Sequence, residues 1–368
     1  MLDRPIAVDA SRAGASARTG TEWYSFELLR ALIAIRDRPR LTLYHRTTPD
    51  PALDGTNVHH TLIAQRRFWT HVGLSYVMRR DRPAALFVPS HVLPINHPPA
   101  SVVTVHDLGF LAEPDAHPVR TRRMLDITTR WNARAARSIV AISGQTRDDL
   151  VQHYRTDPDK ITVIHSGVDH TRFRPLDPVK VHSVTSQLGI DRPYIFFLST
   201  VQPRKNVVRL VEALEILNDD NLMLVIGGAS GWLSGPIEAR IRQSPAFDRI
   251  RRLGEVSTAD VPALYNGARA FVLPSLYEGF GMGVLEAMAC GCPVVTSNRS
   301  SLPEVAGNAA ILVDPTNVAS IRDGVLRATS LQHRERLIAL GLSRAREFSW
   351  DRTAAQTLAV IQKAMHAQ

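Results

Sequence analysis

The sequence predicts an α/β protein of two doubly wound domains, each built on a parallel sheet with helices on both faces. The first observation is a stretch near residue 270, where a buried strand, a glycine loop, a helix and a second strand follow one another. The second is the same strand–loop–helix order at the N-terminus, where Ile6–Ala10 leads through a Gly/Ala/Ser/Arg loop to a helix starting near Thr21. The third is the length of 368 residues, which suits two domains of ordinary size.

Short apolar runs predict the strands of the first domain. After the N-terminal strand they are Leu41–Tyr44, Val58–Ile63, Ala85–Val88, Val102–Val105, Ser138–Ile142 and Lys160–Ile164. Ser143 is placed to cap a helix from Gly144 to about Tyr154. Prolines 175 and 178 then interrupt the pattern. We therefore expect a first domain over residues 1–172 and a linker over 173–192.

The second domain is expected over residues 193–348, followed by a last helix over 349–368 with Ser349 as its cap. Its predicted strands are Tyr194–Leu198, Leu222–Ile226, Arg249–Leu253, Ala270–Leu273 and Val294–Ser297.

One histidine stands at the carboxyl end of a predicted strand. Val102–Val105 runs into His106 and Asp107, and the ligands of parallel sheets bind at the carboxyl ends of strands. A hydrogen-bonded structural histidine is the alternative for an isolated His-Asp pair.

Two adjacent cations, Arg204 and Lys205, stand where a helix is predicted to open after the strand Tyr194–Leu198. The positive end of a helix dipole disfavours cations unless an anion lies between them. The pattern therefore favours a bound phosphate.

Two glutamates frame the glycine loop of Ser275–Val295. Glu278 precedes glycines at positions 279, 281 and 283, and Glu286 lies about one turn inside the helix that follows. Amides at a helix N-terminus bind anions, and the flanking carboxylates suit hydroxyl groups of a sugar or ribose. Acids that simply favour the start of a helix are the alternative. A glycosidase would need its carboxyls on opposite sides of the bond to be cut.

A net charge of +9, carried almost wholly by arginine, favours anionic partners. Finger spacing and paired aromatic motifs do not accompany it, so nucleic acid is not expected. Arg66 and Arg67 lie on one predicted helix, and Arg123, Arg130 and Arg134 share one face of another. They predict contact with anionic lipid or a phosphorylated acceptor, unless they form a solvated face.

The chain opens without a secretion signal, and no apolar run has the length of a membrane span. We expect a cytoplasmic protein, or one that lies at the inner face of the membrane. Cys290 and Cys292 stand one glycine apart, which suits small core residues better than a disulfide or a zinc site. Asp157-Pro158-Asp159 has the spacing of a metal-binding D-x-D, but a proline-fixed turn explains it better, so no metal is expected.

The segment S-L-Y-E-G-F-G-M-G-V-L-E-A-M closely resembles the E-x7-E segment of the family-four, or group 1, glycosyltransferases. V-H-D at 105–107, V-D-x-x-x-F at 168–173 and P-R-K-N at 203–206 are similar to further motifs of that family. The resemblance covers nearly the whole chain and is strongest from 194 to 315. It implies the GT-B fold, in which two Rossmann-like domains face a central cleft and the C-terminal helix crosses back to the first domain.

The resemblance implies a retaining, metal-independent enzyme that moves a mannose- or glucose-type hexose from a nucleotide diphosphate sugar to a glycan, lipid-linked or small-molecule acceptor. It implies catalytic roles at the sugar for His106 and Glu278, and contact with the ribose for Glu286. The other donor-binding residues that it implies are Gly20, Lys205, Val256, Gly279, Phe280, Gly281, Met282 and Gly283. Many members carry a further arginine upstream, after a glycine, where this chain has Ser199 and Thr200, so we infer that Arg204 supplies the second positive charge at the diphosphate. Glu22 stands where the family usually has a second glycine, so it is a candidate to face the acceptor instead.

Other functions stay open. A sugar phosphorylase or a sugar-nucleotide epimerase would use the same fold. A dinucleotide oxidoreductase is disfavoured, because the glycine spacing departs from G-x-G-x-x-G and no acid ends the strand Val294–Ser297. A non-catalytic binding protein is disfavoured because both half-sites are intact. The P-R-K-N element favours GDP-mannose among the donors by analogy.

Overall fold

The computed structural model describes residues 4–14, 18–65, 67–90, 92–217 and 219–366. In this part of the chain two parallel sheets form, as predicted. The strands of the first sheet are β1 (Ile6–Asp9), β2 (Leu41–His45), β3 (Val58–Leu62), β4 (Ala85–Val88), β5 (Ser101–Val105), β6 (Ser138–Ala141) and β7 (Ile161–Val163). The strands of the second sheet are β8 (Tyr194–Leu198), β9 (Met223–Gly227), β10 (Ile250–Gly254), β11 (Ala270–Leu273), β12 (Val294–Ser297) and β13 (Ile311–Val313).

Helices connect the strands. They are α1 (Gly20–Ala34), α2 (Ser75–Asp81), α3 (Gly109–Ala112), α4 (Val119–Ala135), α5 (Gly144–Tyr154), α6 (Pro178–Gln187), α7 (Val207–Glu215), α8 (Gly235–Arg242), α9 (Val261–Gly267), α10 (Met282–Ala289), α11 (Leu302–Ala306), α12 (Val318–Thr329), α13 (Leu331–Ala345) and α14 (Trp350–His366). A π-helical segment, Trp69–Leu74, leads into α2.

The order of strands is β3-β2-β1-β4-β5-β6-β7 in the first sheet and β10-β9-β8-β11-β12-β13 in the second. Both sheets are doubly wound, because the chain builds outward in both directions from a central pair of strands. Central strands such as β1, β4 and β11 are buried along their whole length. This burial explains why they read as continuous apolar runs rather than alternating ones.

The chain packs into two compact units. The first comprises Met1–Leu108, Arg123–Gly167 and Ser349–Gln368, and the second comprises Gly109–Arg122 and Val168–Phe348. The second unit thus includes a segment that precedes the boundary expected near residue 172. Within the expected linker, Pro178 begins α6 and Asp177 caps it by accepting a hydrogen bond from the Val179 amide at 2.7 Å. A proline at the first position of a helix starts the helix rather than interrupting the chain.

The C-terminal helix α14 packs on α1, β4, β5 and β6 of the first unit, as the family resemblance implied. Ser349 caps it as predicted, since its Oγ accepts a hydrogen bond from the Arg352 amide at 3.2 Å. Gly167 permits the approach, because a Cβ there would lie 2.3 Å from the Trp350 nitrogen. Any larger residue at position 167 would displace α14.

Other predicted elements are also confirmed. Ser143 caps α5, where its Oγ accepts from the Thr146 amide at 3.1 Å. Cys290 and Cys292 are buried free thiols at the end of α10, and burial raises the pKa of Cys292 to about 12.

Over the described residues, no helix combines the length and the apolar character needed to cross a bilayer.

Candidate functional site

The second sheet reverses its strand order between β8 and β11, which pair directly. The loop after β8 carries Arg204 and Lys205, and the loop after β11 carries Ser275 and Glu278. In doubly wound sheets the ligand crevice lies at the carboxyl ends of the two strands that flank such a reversal. The topology therefore places these predicted residues together at the edge where a ligand is expected.

The carboxylate of Glu278 is the centre of this cluster. Lys205 Nζ lies 2.6 Å from its Oε1 and 2.8 Å from its Oε2. Arg204 Nη1 lies 3.3 Å from Oε2, and Ser275 Oγ donates to Oε1 at 2.7 Å. Glu278 is 7% exposed and Lys205 is 9% exposed. A buried charge is tolerated only when it is paired and hydrogen-bonded, and both conditions hold here.

Burial alone would raise the pKa of Glu278. The charges of Lys205 and Arg204, with hydrogen bonds from Lys205 and Ser275, outweigh burial and hold the pKa at about 2. Glu278 is therefore ionised at neutral pH.

The two cations are not at the start of an α-helix. They lie in a 3₁₀ turn, Pro203–Lys205, and α7 begins two residues later at Val207. The anion expected beside the cations is supplied by the chain itself as Glu278. Their pairing alone therefore does not require a bound phosphate.

The backbone around Glu278 is held by two serines that follow β12. Ser300 Oγ accepts a hydrogen bond from the Glu278 amide at 2.9 Å. Ser301 Oγ is 2.9 Å from the Glu278 carbonyl and 3.0 Å from the Phe280 carbonyl. Asn206, nearly fully buried, donates to the carbonyls of Pro274 at 2.9 Å and Pro315 at 2.7 Å. Ser300 and Ser301 were not predicted from the sequence, where their one signal is a pair of short polar side chains beside a strand end. Asn206 ends the P-R-K-N motif but had no predicted role.

The glycine loop leads into α10. Gly279 and Phe280 are buried, whereas Gly281, Met282 and Gly283 are half-buried. Gly281 is the residue before the helix, with φ of +99°, a conformation that favours glycine. Because glycine has no side chain to cap the helix, the first amides of α10 are not capped from this position.

Glu286 lies on α10, half-buried, and Tyr265 Oη donates to its Oε2 at 3.0 Å. Burial raises the pKa of Glu286, while the positive charge of Arg172 opposes the change. Tyr265 itself is fully buried, with its ring edge-on to Phe271 at 5.2 Å. Tyr265 was not predicted as a site residue, because in the sequence an aromatic on a short helix looks like an ordinary core residue. Val256 is half-buried just beyond the end of β10.

In the first unit, Gly20 is the exposed first residue of α1. Glu22 is buried at the start of this helix, where its Oε2 accepts from the Thr19 amide at 3.2 Å and its Oε1 lies 3.0 Å from Arg12 Nη1. The carboxylate that stands in place of a glycine thus stabilises the helix start through a capping box and an ion pair.

His106 is half-buried just after β5, with Nε2 at 2.9 Å from the Pro89 carbonyl. The carbonyl can only accept, so Nε2 carries the proton and Nδ1 is left as an acceptor. The Tyr24 ring packs edge-on against the imidazole at 4.7 Å. Burial lowers the pKa of His106, although the Pro89 carbonyl and the charges of Asp107 and Glu22 oppose the change. His106 is therefore neutral at neutral pH.

Among the arginines predicted to meet an anionic partner, Arg67, Arg123, Arg130 and Arg134 are exposed, and Arg66 lies outside the described residues. The three on α4 share one face as predicted. Asp157 caps the turn Pro158–Lys160 by accepting from the Asp159 amide at 3.0 Å, in agreement with the proline-fixed turn.

Known proteins resemble this chain over both units. The family model described as "Glycosyl transferases group 1" matches residues 183–341, and "Glycosyltransferase Family 4" matches residues 18–172. O-antigen chain mannosyltransferase B of Escherichia coli is 30% identical over 364 residues, covering 92% of this chain and 95% of the relative. Alpha-maltose-1-phosphate synthase of Mycolicibacterium smegmatis is 26% identical, covering 86% of each chain.

Solved structures share the fold at low identity. Sucrose-phosphate synthase from Thermosynechococcus elongatus superposes with a TM-score of 0.79 at 19% identity, covering 99% of this chain and all of the other. WaaG, a glycosyltransferase involved in lipopolysaccharide biosynthesis, gives 0.76 at 15% identity, covering 97% and 99% of the two chains. Anabaena HepE in complex with UDP-glucose gives 0.75 at 17% identity, with the same coverage. This chain belongs to the group 1 glycosyl transferases and is a glycosyltransferase of the GT-B fold.

Proposed function

We propose that this glycosyltransferase takes a hexose from a nucleotide diphosphate sugar and transfers it with retention of the anomeric configuration. The observation that carries the proposal is the buried Glu278 carboxylate, shared by Lys205 and Arg204 beside the glycine loop. A diphosphate needs cations and amides around it, and a sugar needs a hydrogen-bond acceptor next to it. This one cluster holds both kinds of group.

The leaving diphosphate would be stabilised by Arg204, Lys205 and the amides of residues 279–283 at the positive end of α10. Each such fixed donor contributes about 3 kcal/mol to stabilising the transition state. Because these groups supply the positive charge, we propose that no metal ion is required. Glu286 would bind the ribose, Val256 the base and Gly20 the diphosphate.

Glu278 and the Nδ1 atom of His106 would accept hydrogen bonds from hydroxyl groups of the sugar. Glu278 is a poor candidate for a covalent nucleophile, because the charges of Lys205 and Arg204 hold its pKa at about 2, and a carboxylate of such low pKa is weakly nucleophilic. We therefore favour attack on the same face as the departing diphosphate, whose oxygen would take the proton of the acceptor hydroxyl.

For the sugar we propose mannose or glucose type. The relative from Escherichia coli, which covers 92% of this chain, is named a mannosyltransferase, and the fold neighbour HepE was solved with UDP-glucose. For the acceptor we propose a glycan, lipid-linked or small-molecule hydroxyl compound, in polysaccharide biosynthesis. We further propose peripheral contact with an anionic membrane through Arg67, Arg123, Arg130 and Arg134.

A thermal-shift panel of GDP-mannose, UDP-glucose and ADP-glucose tests the donor, because a ligand that binds the native state raises its melting temperature. We expect one nucleotide sugar to stabilise the protein without added metal, and EDTA to leave the shift unchanged. NMR of the product then determines the anomeric configuration of the transferred sugar. Stabilisation by none of the three, or turnover that requires inorganic phosphate, would overturn the proposal, and the latter would indicate a phosphorylase.

A further inference from the structure

Helix α4 exposes several of its large apolar side chains and buries polar ones. Met124 is 59% exposed and Ile127 is 67% exposed. The residues of α4 that are buried are Thr129, Asn132 and Ala133. A surface helix normally turns its apolar residues toward the core. The inverted arrangement means that the packing of this unit does not account for the apolar residues of α4.

The exposed apolar residues of α4 are interleaved with arginines. At 3.6 residues per turn, one arc of roughly 120° on the helix contains all of them. Its members are Arg123, Met124, Ile127, Arg130, Trp131 and Arg134. Arg130 lies near one acid, Asp126, at 3.5 Å.

Hydrogen bonds extend this arc across the first unit. Trp131 Nε1 donates to the Leu93 carbonyl at 3.0 Å, and the Leu93 amide donates to Asn132 Oδ1 at 3.0 Å. These bonds fix a loop that exposes Ile95. The Asn96 amide in turn donates to Ser75 Oγ at 2.8 Å, at the first residue of α2.

Beside Ser75 the same pattern recurs. Phe68, Val72 and Tyr76 are exposed along the π-helical segment and α2, and Arg67 and Arg79 are exposed with them. We call the set made by these five residues, Ile95 and the six residues of the α4 arc the apolar–basic face. Within the described part of the first unit, every large apolar side chain that is exposed comes from residues 62–131.

We infer that the apolar–basic face docks the enzyme on an anionic lipid bilayer. Apolar side chains interleaved with arginines suit the boundary between head groups and acyl chains, where the apolar groups insert and the cations meet anionic lipid. A second copy of this chain is a poorer occupant, because two such faces carry like charges. This docking deepens the membrane contact proposed above, because it adds the exposed apolar side chains to the arginines, and it rests on that proposal but not on the sugar-transfer reaction.

Co-sedimentation with vesicles tests the inference. We expect the wild-type chain to bind vesicles of phosphatidylcholine with about 30% phosphatidylglycerol, to bind pure phosphatidylcholine far more weakly, and to be released by salt. Two double variants test the arginines and the apolar residues of the face separately. Arg123→Gln/Arg134→Gln should weaken binding about 25-fold, since each surface arginine contributes roughly fivefold. Met124→Ser/Ile127→Ser should weaken binding by at least about tenfold.

Two matched controls lie in the second unit. Arg242→Gln/Arg336→Gln removes the same charge from exposed positions, and Leu326→Ser/Leu331→Ser removes exposed apolar side chains. Both should bind vesicles like the wild type. Equal binding by the face variants and the controls would overturn the inference. So would a wild-type dimer that the face variants dissociate, because the occupant would then be a second copy. Thermal shifts with nucleotide sugars should be unchanged in all four variants, which separates this test from that of the proposed reaction.

Discussion

Lys205 Nζ contacts both carboxylate oxygens of Glu278, at 2.6 and 2.8 Å, although the two residues are 73 positions apart. Each charge is nearly buried, so each depends on the other for stability in the folded chain. In the proposed reaction a donor diphosphate competes with Glu278 for this lysine. Binding of the donor would then free the carboxylate to accept a hydrogen bond from the sugar.

The first prediction concerns Lys205→Ala. We expect the melting temperature to fall, because Glu278 keeps only Arg204 and Ser275, and breaking a buried pair costs on the order of 3 kcal/mol. We also expect the donor-induced thermal shift to disappear and kcat/KM to fall by about a hundredfold or more. Lys180→Ala, at an exposed lysine of the same unit, is the control and should change none of these three quantities. If Lys205→Ala kept its affinity for the donor, Lys205 would not be part of the diphosphate site.

The second prediction is a pH dependence of stability. A carboxylate whose pKa is lower in the folded state stabilises the fold above its unfolded pKa, and this contribution is lost as the pH falls through the folded pKa. For Glu278 the ordinary value is 4.5 and the folded pKa is about 2, so about 3 kcal/mol should be lost between these values.

Urea unfolding of wild type and Glu278→Gln, measured from about pH 7 down to about pH 2, reads this contribution. The difference in unfolding free energy should be constant above about pH 5 and shrink below it. Glu255→Gln, at an exposed carboxylate of the same unit, is the control. A difference between wild type and Glu278→Gln that does not vary with pH would contradict the ion pair.

The third prediction concerns the bond from Tyr265 to Glu286. Tyr265→Phe keeps the packed ring and removes one hydrogen bond to a carboxylate, so we expect KM for the donor to rise about fivefold with kcat little changed. Tyr194→Phe is the matched control, because Tyr194 is also buried in this unit and donates to the Leu264 carbonyl at 2.8 Å. Both variants should lose about 1 kcal/mol of stability, but only Tyr265→Phe should affect KM.

A 2′-deoxyribose form of the donor completes this test of Glu286. It should bind less tightly than the natural donor to the wild type, and the two donors should bind equally to Glu286→Gln. If the discrimination survived in that variant, Glu286 would not be the residue that binds the ribose.

Much of the fold could be predicted from short-range patterns. The strand at Ala270–Leu273 is buried on both faces, so it appears in the sequence as an unbroken apolar run between turn residues. The cap at Ser143 depends on neighbours within a few positions along the chain. Such features need no knowledge of the tertiary structure.

The contacts of the site could be predicted only in part. The family resemblance named Glu278 and Lys205, but their mutual bond arises from the pairing of β8 with β11, which no local pattern encodes. Ser300 was missed because its role depends on a loop that returns beside Glu278. The spacing of Arg123, Arg130 and Arg134 predicted one helical face, yet spacing cannot tell which side of α4 faces the protein. The exposure of Ile127 therefore emerged only from the structure.

The fourth prediction concerns His106 and its proton. With Nε2 donating to Pro89 and the pKa lowered by burial, the neutral imidazole should persist to below 6.5, its ordinary value. Activity should therefore be flat from about pH 8 to 6.5 and fall only at lower pH. His106→Ala should lower kcat about a hundredfold while retaining the donor-induced thermal shift, and His153→Ala, at an exposed histidine of the same unit, should do neither. A rise in activity on acidification would show that the protonated form acts instead.

The fifth prediction uses Ser300, whose backbone is left-handed with φ of +54° and whose Oγ accepts from the Glu278 amide at 2.9 Å. Ser300→Ala removes the acceptor and keeps the strained backbone, whereas Ser300→Gly removes the acceptor and relieves the strain. The glycine variant should thus be more stable than the alanine variant by about 1 kcal/mol, as measured by urea unfolding. If Ser300 positions Glu278, both variants should lose kcat/KM to a similar extent, about tenfold, because both leave the Glu278 amide without its acceptor. Wild-type activity in the glycine variant would mean that Ser300 serves only the loop, and that contacts with Lys205, Arg204, Ser275 and Ser301 are enough to position Glu278.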